Sequence, residues 1–167
     1  MFGLFKKQEP APDGPIIVSH STLIDCHPAH LYRTVDFGDE LCWKKAVGSV
    51  ERTGENTFLM RVDMAPELRF PLEVLEAVPE EAYAYSCVIE PKVGRLVKSI
   101  ERYDISEQDG QTLVTMTMLA EMDAGMTKRE RAQEMQMLEM AGHNAVAKLK
   151  IHIEQGVEIV RDIEAMQ

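Results

Sequence analysis

The sequence predicts an α+β domain in which an antiparallel sheet is covered on one face by a long C-terminal helix. Two observations carry this. Between about Ala46 and Met122, apolar residues recur at every second position in short runs separated by turn residues, the mark of strands with one buried face. From Thr127 onwards the apolar spacing changes to three and four residues, which lines them along one face of a helix. Strands in series followed by a helix is the order of an α+β fold.

The elements follow in order. Residues 8–15 hold three prolines and a glycine, which neither continue a helix nor donate regularly to a sheet. A flexible tail is therefore expected over residues 1–14 and a single domain over 15–167. Ile16 to Ile24 reads as a strand. His27-Pro28 starts a helix, because proline at the first helical position has its φ preset and loses no bonded donor. That helix runs to about Asp36 with Leu31, Tyr32 and Val35 on one face, and Gly38 ends it. A short helical piece over Asp39 to Lys44 holds Leu41, Cys42 and Trp43, the only tryptophan.

Ala46 to Thr53 and Thr57 to Met64 form a hairpin about Gly54-Glu55-Asn56. Leu68 to Val78 follows, and Pro71 within it predicts an edge position or a bulge. Ala82 to Glu90 and Leu96 to Ile105 are the next strands, and Asp109-Gly110 is a hairpin turn into Gln111 to Met122. In that last strand Val114, Met116, Met118, Ala120 and Met122 share a face. Thr127-Lys128-Arg129-Glu130 is a capping box. The helix it starts is expected to reach Val160, with Met135, Leu138, Gly142, Val146, Leu149, Ile153, Val157 and Val160 on one stripe.

At 167 residues, 45% of them apolar and 28% charged, the chain is an ordinary globular domain. A net charge of −10 repels phosphate backbones, so nucleic acid is not an expected partner. Cys26, Cys42 and Cys87 are odd in number and lack CxxC spacing, which fits a reducing compartment and a cytoplasmic location. No window approaches the roughly 20 apolar residues of a membrane span. Phe2, Leu4 and Phe5 with Lys6 and Lys7 would suit a weak contact with lipid, or simply a frayed end.

Three stretches resemble the helix-grip superfamily (SRPBCC), which includes START domains, pollen-allergen-like proteins and polyketide cyclases. Ile24-Asp25-Cys26-His27-Pro28-Ala29-His30-Leu31-Tyr32 is similar to its strand-to-helix junction. Leu41-Cys42-Trp43-Lys44-Lys45-Ala46-Val47 is similar to its short second helix leading through a tryptophan into a strand. The hairpin of Tyr103-Asp104-Ile105 with Asp109-Gly110-Gln111-Thr112-Leu113-Val114-Thr115, ahead of a long final helix, completes the pattern. The resemblance implies a curved sheet of about seven strands gripping the last helix, two short helices after the first strand, and a cavity that accepts small apolar molecules. Carriage or sensing of such a ligand is the expected function. A polyketide cyclase or dehydratase is the alternative, and a protein interaction module a second one.

If the sheet cups the helix, Phe70, Leu72, Tyr83, Tyr85, Met116, Met118 and Met122 face inwards as candidate ligand contacts. Methionine adapts to several apolar shapes, and serves equally as core filler. Glu139 and His143 lie one helical turn apart at the margin of the apolar stripe. There they could orient a ligand hydroxyl or move a proton, with Tyr83 or Tyr85 as partner in a cyclase, or else be a solvated pair. No metal is expected, since His27, His30 and Cys26 fall short of a closed zinc site. The chain has no Ser-His-Asp ordering, phosphate-cradling glycine loop or HExxH segment, and no cofactor is expected. The back of the long helix carries Met137, Met140, Ala141, Ala147 and Ile151, too apolar for a wet face. A homodimer through Met137, Met140, Ala141 and Ile151 follows as an expectation.

Overall fold

The computed structural model describes residues 9–166; the proposed lipid contact of Phe2, Leu4 and Phe5 lies outside them. Seven strands form one antiparallel sheet: β1 (Ile16–Ile24), β2 (Gly48–Arg52), β3 (Thr57–Val62), β4 (Phe70–Val78), β5 (Ala82–Cys87), β6 (Leu96–Gln108) and β7 (Gln111–Met122). Their spatial order is β1-β7-β6-β5-β4-β3-β2. All neighbours except β1 and β7 are consecutive in sequence, so the meander is closed at one side by the first strand lying beside the last.

The helices are α1 (Pro28–Val35), α2 (Lys128–Gln155) and α3 (Val157–Ala165), with a short 3-10 turn over Trp43–Ala46. At the start of α1, Pro28 occupies the first turn and the His27 ring accepts a bond from the Ala29 amide. At the start of α2, the Thr127 hydroxyl accepts from the Glu130 amide while Glu130 accepts from the Thr127 amide, the reciprocal capping that the sequence predicts. The β6–β7 turn puts Asp109 and Gly110 both at positive φ, as a tight hairpin requires.

Three expectations are corrected. The last helix is not continuous to Val160: Gly156, at φ 98° and ψ 169°, ends α2 and α3 turns away, a backbone region open essentially to glycine alone. An ion pair between Lys148 and Glu164 ties α3 back against α2. The short helical piece falls on Trp43–Ala46, later than Asp39 to Lys44. Pro71 marks neither an edge nor a bulge: β4 lies between β3 and β5, Pro71 is its second residue, and the register shifts between Val74 and Glu76 instead.

Register places the inward side chains in rows across the sheet. Leu72, Cys87, Ser99, Ala120 and Ile16 form one row; Val74, Tyr85, Glu101, Met118 and Val18 the next; Tyr83, Tyr103, Met116 and His20 a third. On the opposite face, Glu76 and Arg102 flank Ala84 on either side and pair across it. The small residue leaves room for that ion pair, which is why Ala84 is buried although it faces away from the helices.

α2 packs chiefly over β1, and α1 over β5 and β6. Gly142 faces this contact: a Cβ there would stand 2.7 Å from the His20 ring and 3.3 Å from the Met116 methyl. The glycine lets α2 approach β1 over the imidazole.

Candidate functional site

The concave face divides into two parts. Tyr83, Tyr85, Tyr103, Met116, Leu72 and Phe58 belong to a large cluster with Leu31, Trp43, Val146 and Leu149. Ile16, Val18 and Met118 form a smaller one, with Met122 and Leu138 packed against it. Burial of the larger cluster depends on Phe37, from the turn after α1. Its ring lies 4.6 Å from that of Tyr85, 5.7 Å from Phe58 and 5.8 Å from Tyr83. Its amide donates to the Tyr83 hydroxyl at 3.1 Å. Phe37 thus occupies the space over the two tyrosines.

The candidate contacts fall on both sides of this division. Leu72, Tyr83, Tyr85 and Met116 are buried in the large cluster, with Phe70 half-buried at its margin. Met118 and Met122 belong to the small one. The tyrosine hydroxyls are committed: Tyr83 accepts from Phe37, and Tyr85 donates to Glu101 at 2.5 Å. Burial raises both phenols well above the usual tyrosine range, and the Glu101 charge adds to the effect at Tyr85. Both are therefore hydrogen-bonding groups at neutral pH, with little tendency to ionise.

Glu139 and His143 are both exposed, and the structure adds a third group that the sequence reading passes over. His20 of β1 faces α2, its Nε2 3.0 Å from a Glu139 oxygen and its ring edge-on to His143 at 6.0 Å. The Nε2 contact has ion-pair distance without hydrogen-bond alignment. The alternation Ile16, Val18, His20, Thr22, Ile24 is the signal that would have found this residue, since it sets His20 on the apolar face of β1.

Glu101 is the second missed residue. Its row neighbours Tyr85 and Met118 lie one in each cluster, so its carboxylate stands where the core parts. Tyr103 is buried beside this pair, between Tyr83 and Met116 in the next row. Burial, with the Glu101 charge second, also pushes the Cys87 thiol up to about 12, so it is a neutral wall group.

A hollow of about 560 Å³ lies elsewhere, beneath the segment from Pro10 to Pro15. Ile100, Leu119, Glu121, Met122, Met126 and Arg131 form its other walls. The segment is bonded down: the Ala11 amide donates to the Met126 carbonyl, the Lys128 amide to Glu9, and Arg131 to the carbonyls of Gly14 and Pro15. Of the candidate contacts, only Met122 borders this hollow. Among the described residues no group of three or more His, Cys, Asp or Glu side chains could hold a metal ion, and no helix is long and apolar enough to cross a membrane.

No protein-family model matches the chain, and no curated protein does. Solved structures do match. A START superfamily protein from Mycobacterium smegmatis superposes with a TM-score of 0.58 at 12% identity, over 85% of this chain and 99% of that one. The chain has the helix-grip fold. The Aha1 dimer from Colwellia psychrerythraea gives 0.62 at 15% identity, over 84% of this chain and 98% of that one. DynU16, a protein of the dynemicin biosynthetic locus, gives 0.62 at 16% identity over 86% of this chain, which spans only 48% of the length of DynU16. The helix-grip fold supports carriers, enzymes and interaction modules alike, so function rests on the site itself.

Proposed function

We propose that this helix-grip protein binds a small apolar molecule on the concave face, where the two core clusters part, for carriage or sensing. The observation that carries the reading is the incomplete closure of the core around Glu101: this carboxylate, Met122 and Leu138 all face or border the interior yet keep partial exposure. A core that Phe37 seals on one side is left open on the other, and its walls there include two methionines that can adapt to a guest. Glu139, His143 and His20 stand at the α2 rim of this opening.

Native mass spectrometry of gently purified protein tests the reading, with a co-purifying apolar compound expected. Two variants locate it. Leu138→Trp fills the seam and should displace the compound, whereas Leu119→Trp fills the hollow under the N-terminal segment and should not. Displacement by Leu119→Trp alone would move the site to that hollow. No bound compound, together with no thermal shift across a panel of lipids and polyketides, would remove the ligand-binding function.

A second reading concerns association. Met137 and Met140 on the back of α2 are 51% and 61% exposed, an apolar stripe of the kind that meets another chain. Ala141 is exposed beside them, while Ile151 is half-buried nearer the end of α2. A homodimer through this stripe gives twice the monomer mass in light scattering, and Met140→Glu returns it to monomer. A monomeric mass at high concentration would rule it out.

A further inference from the structure

Resting on the reading of the concave face as a ligand site, we infer that its ligand carries a hydrogen-bond donor, a hydroxyl or a protonated amine, which Glu101 accepts. Val74, Tyr85, Glu101, Met118 and Val18 form one inward row across five strands. Four of its five side chains are apolar or aromatic, and the one carboxylate lies between the two core clusters. A half-buried carboxylate is costly to keep unless its oxygens find partners. Tyr85 satisfies Oε2. Among the described residues no Lys, Arg or His forms an ion pair with Glu101, whereas Glu164, whose side chain is also largely covered, pairs with Lys148.

The Tyr85 contact fixes the direction of recognition. Tyr85 spends its only proton on Glu101 Oε2, which leaves Oε1 as an acceptor. A half-buried carboxylate with a spare acceptor oxygen, in an otherwise apolar row, selects a guest with a polar donor at one end and an apolar body. Carboxylate and phosphate groups are rejected by charge, which separates this site from one built for free fatty acids.

Four probes on one scaffold test this: 2-methylnaphthalene, 2-naphthalenemethanol, 2-naphthylmethylamine and 2-naphthoic acid, titrated calorimetrically at pH 7. The alcohol and the amine are expected to bind about tenfold or more tightly than the hydrocarbon, as a hydrogen bond to a charged acceptor provides, and the acid more weakly than the hydrocarbon. In Glu101→Gln the amine should lose its advantage, while the hydrocarbon binds as before. Tyr85→Phe should keep the preference, since it leaves Glu101 free to accept. An amine that outbinds the alcohol identifies the cation as the preferred donor; the reverse identifies the hydroxyl.

Equal affinities for hydrocarbon, alcohol and amine in the native protein would overturn the inference while leaving the apolar-ligand reading standing. So would an unchanged preference in Glu101→Gln. Failure of all four probes to bind would overturn both.

Discussion

The two sides of the concave face are built from the same residue types yet end in different states. Around Tyr83 and Met116, side chains from β5, β6 and β7 meet α1, Phe37 and the middle of α2, and Tyr83, Tyr103 and Met116 are all but fully buried. Around Met118 and Met122, β7 and β1 meet only the first half of α2, and Met122 and Leu138 stay half-exposed. Strand composition does not make the difference, because methionines lie on both sides. The cover does. Phe37 from one short turn closes one part, and among the described residues no loop side chain belongs to the other. The lesson is that in this fold the size of a site is set by the loop residues that enter the sheet, more than by the strands that line it.

Phe37→Ala is the most direct way to break this comparison. Phe37 is 2% exposed and touches the rings of Phe58, Tyr83 and Tyr85, so its removal should cost about 3–5 kcal/mol, read as a lower urea midpoint. The same variant opens the closed part and should admit bulkier ligands than the native protein binds. A cost below about 1 kcal/mol would mean that Phe37 is not the seal.

The strands with one wet face, above all β7 with its Val114 to Met122 alternation, were legible because burial repeats at every second position. The capping box and the Asp109-Gly110 turn were legible because their chemistry is local. Gly156 carried a stop signal within the helical pattern that the apolar stripe overrode. Phe37 gave no signal, since nothing local tells a turn residue that it will insert between distant strands. Glu101 was hidden for a related reason: a charge in a strand reads as outward-facing, and only the pairing of β6 with both β5 and β7 shows that it faces in. His20 was recoverable from alternation alone. The division of the core follows from tertiary cover, which periodicity does not encode.

The methionines sharpen the comparison at fixed chemistry. Met116 and Met118 are consecutive inward residues of β7, the first fully buried in the closed part and the second 9% exposed at the seam. Truncation costs depend on how far a site can relax and fill. Met116→Ala should therefore cost about 2 kcal/mol more than Met118→Ala, as measured by denaturant unfolding of both. Met118→Ala should at the same time enlarge the seam and tighten binding of a bulky ligand. Equal costs for the two would mean that the parts are packed alike.

The smallest expected effect tests how α2 sits on β1 at the edge of the open part. In an unobstructed helix Gly→Ala stabilises by about 1 kcal/mol. At Gly142 the new methyl would meet the His20 ring at 2.7 Å and the Met116 methyl at 3.3 Å, and His20 has limited room to swing because Glu139 and His143 flank it. The clash should outweigh the propensity gain and leave Gly142→Ala less stable by about 1 kcal/mol. Removing the ring reverses the sign: in a His20→Ala background Gly142→Ala should be neutral or stabilising, so the two substitutions couple. A Gly142→Ala cost that is the same with and without His20 would show that α2 is held off β1 by something other than the imidazole. The close approach of helix and strand would then lose its explanation, and with it the placement of Glu139 and His143 at the rim of the seam.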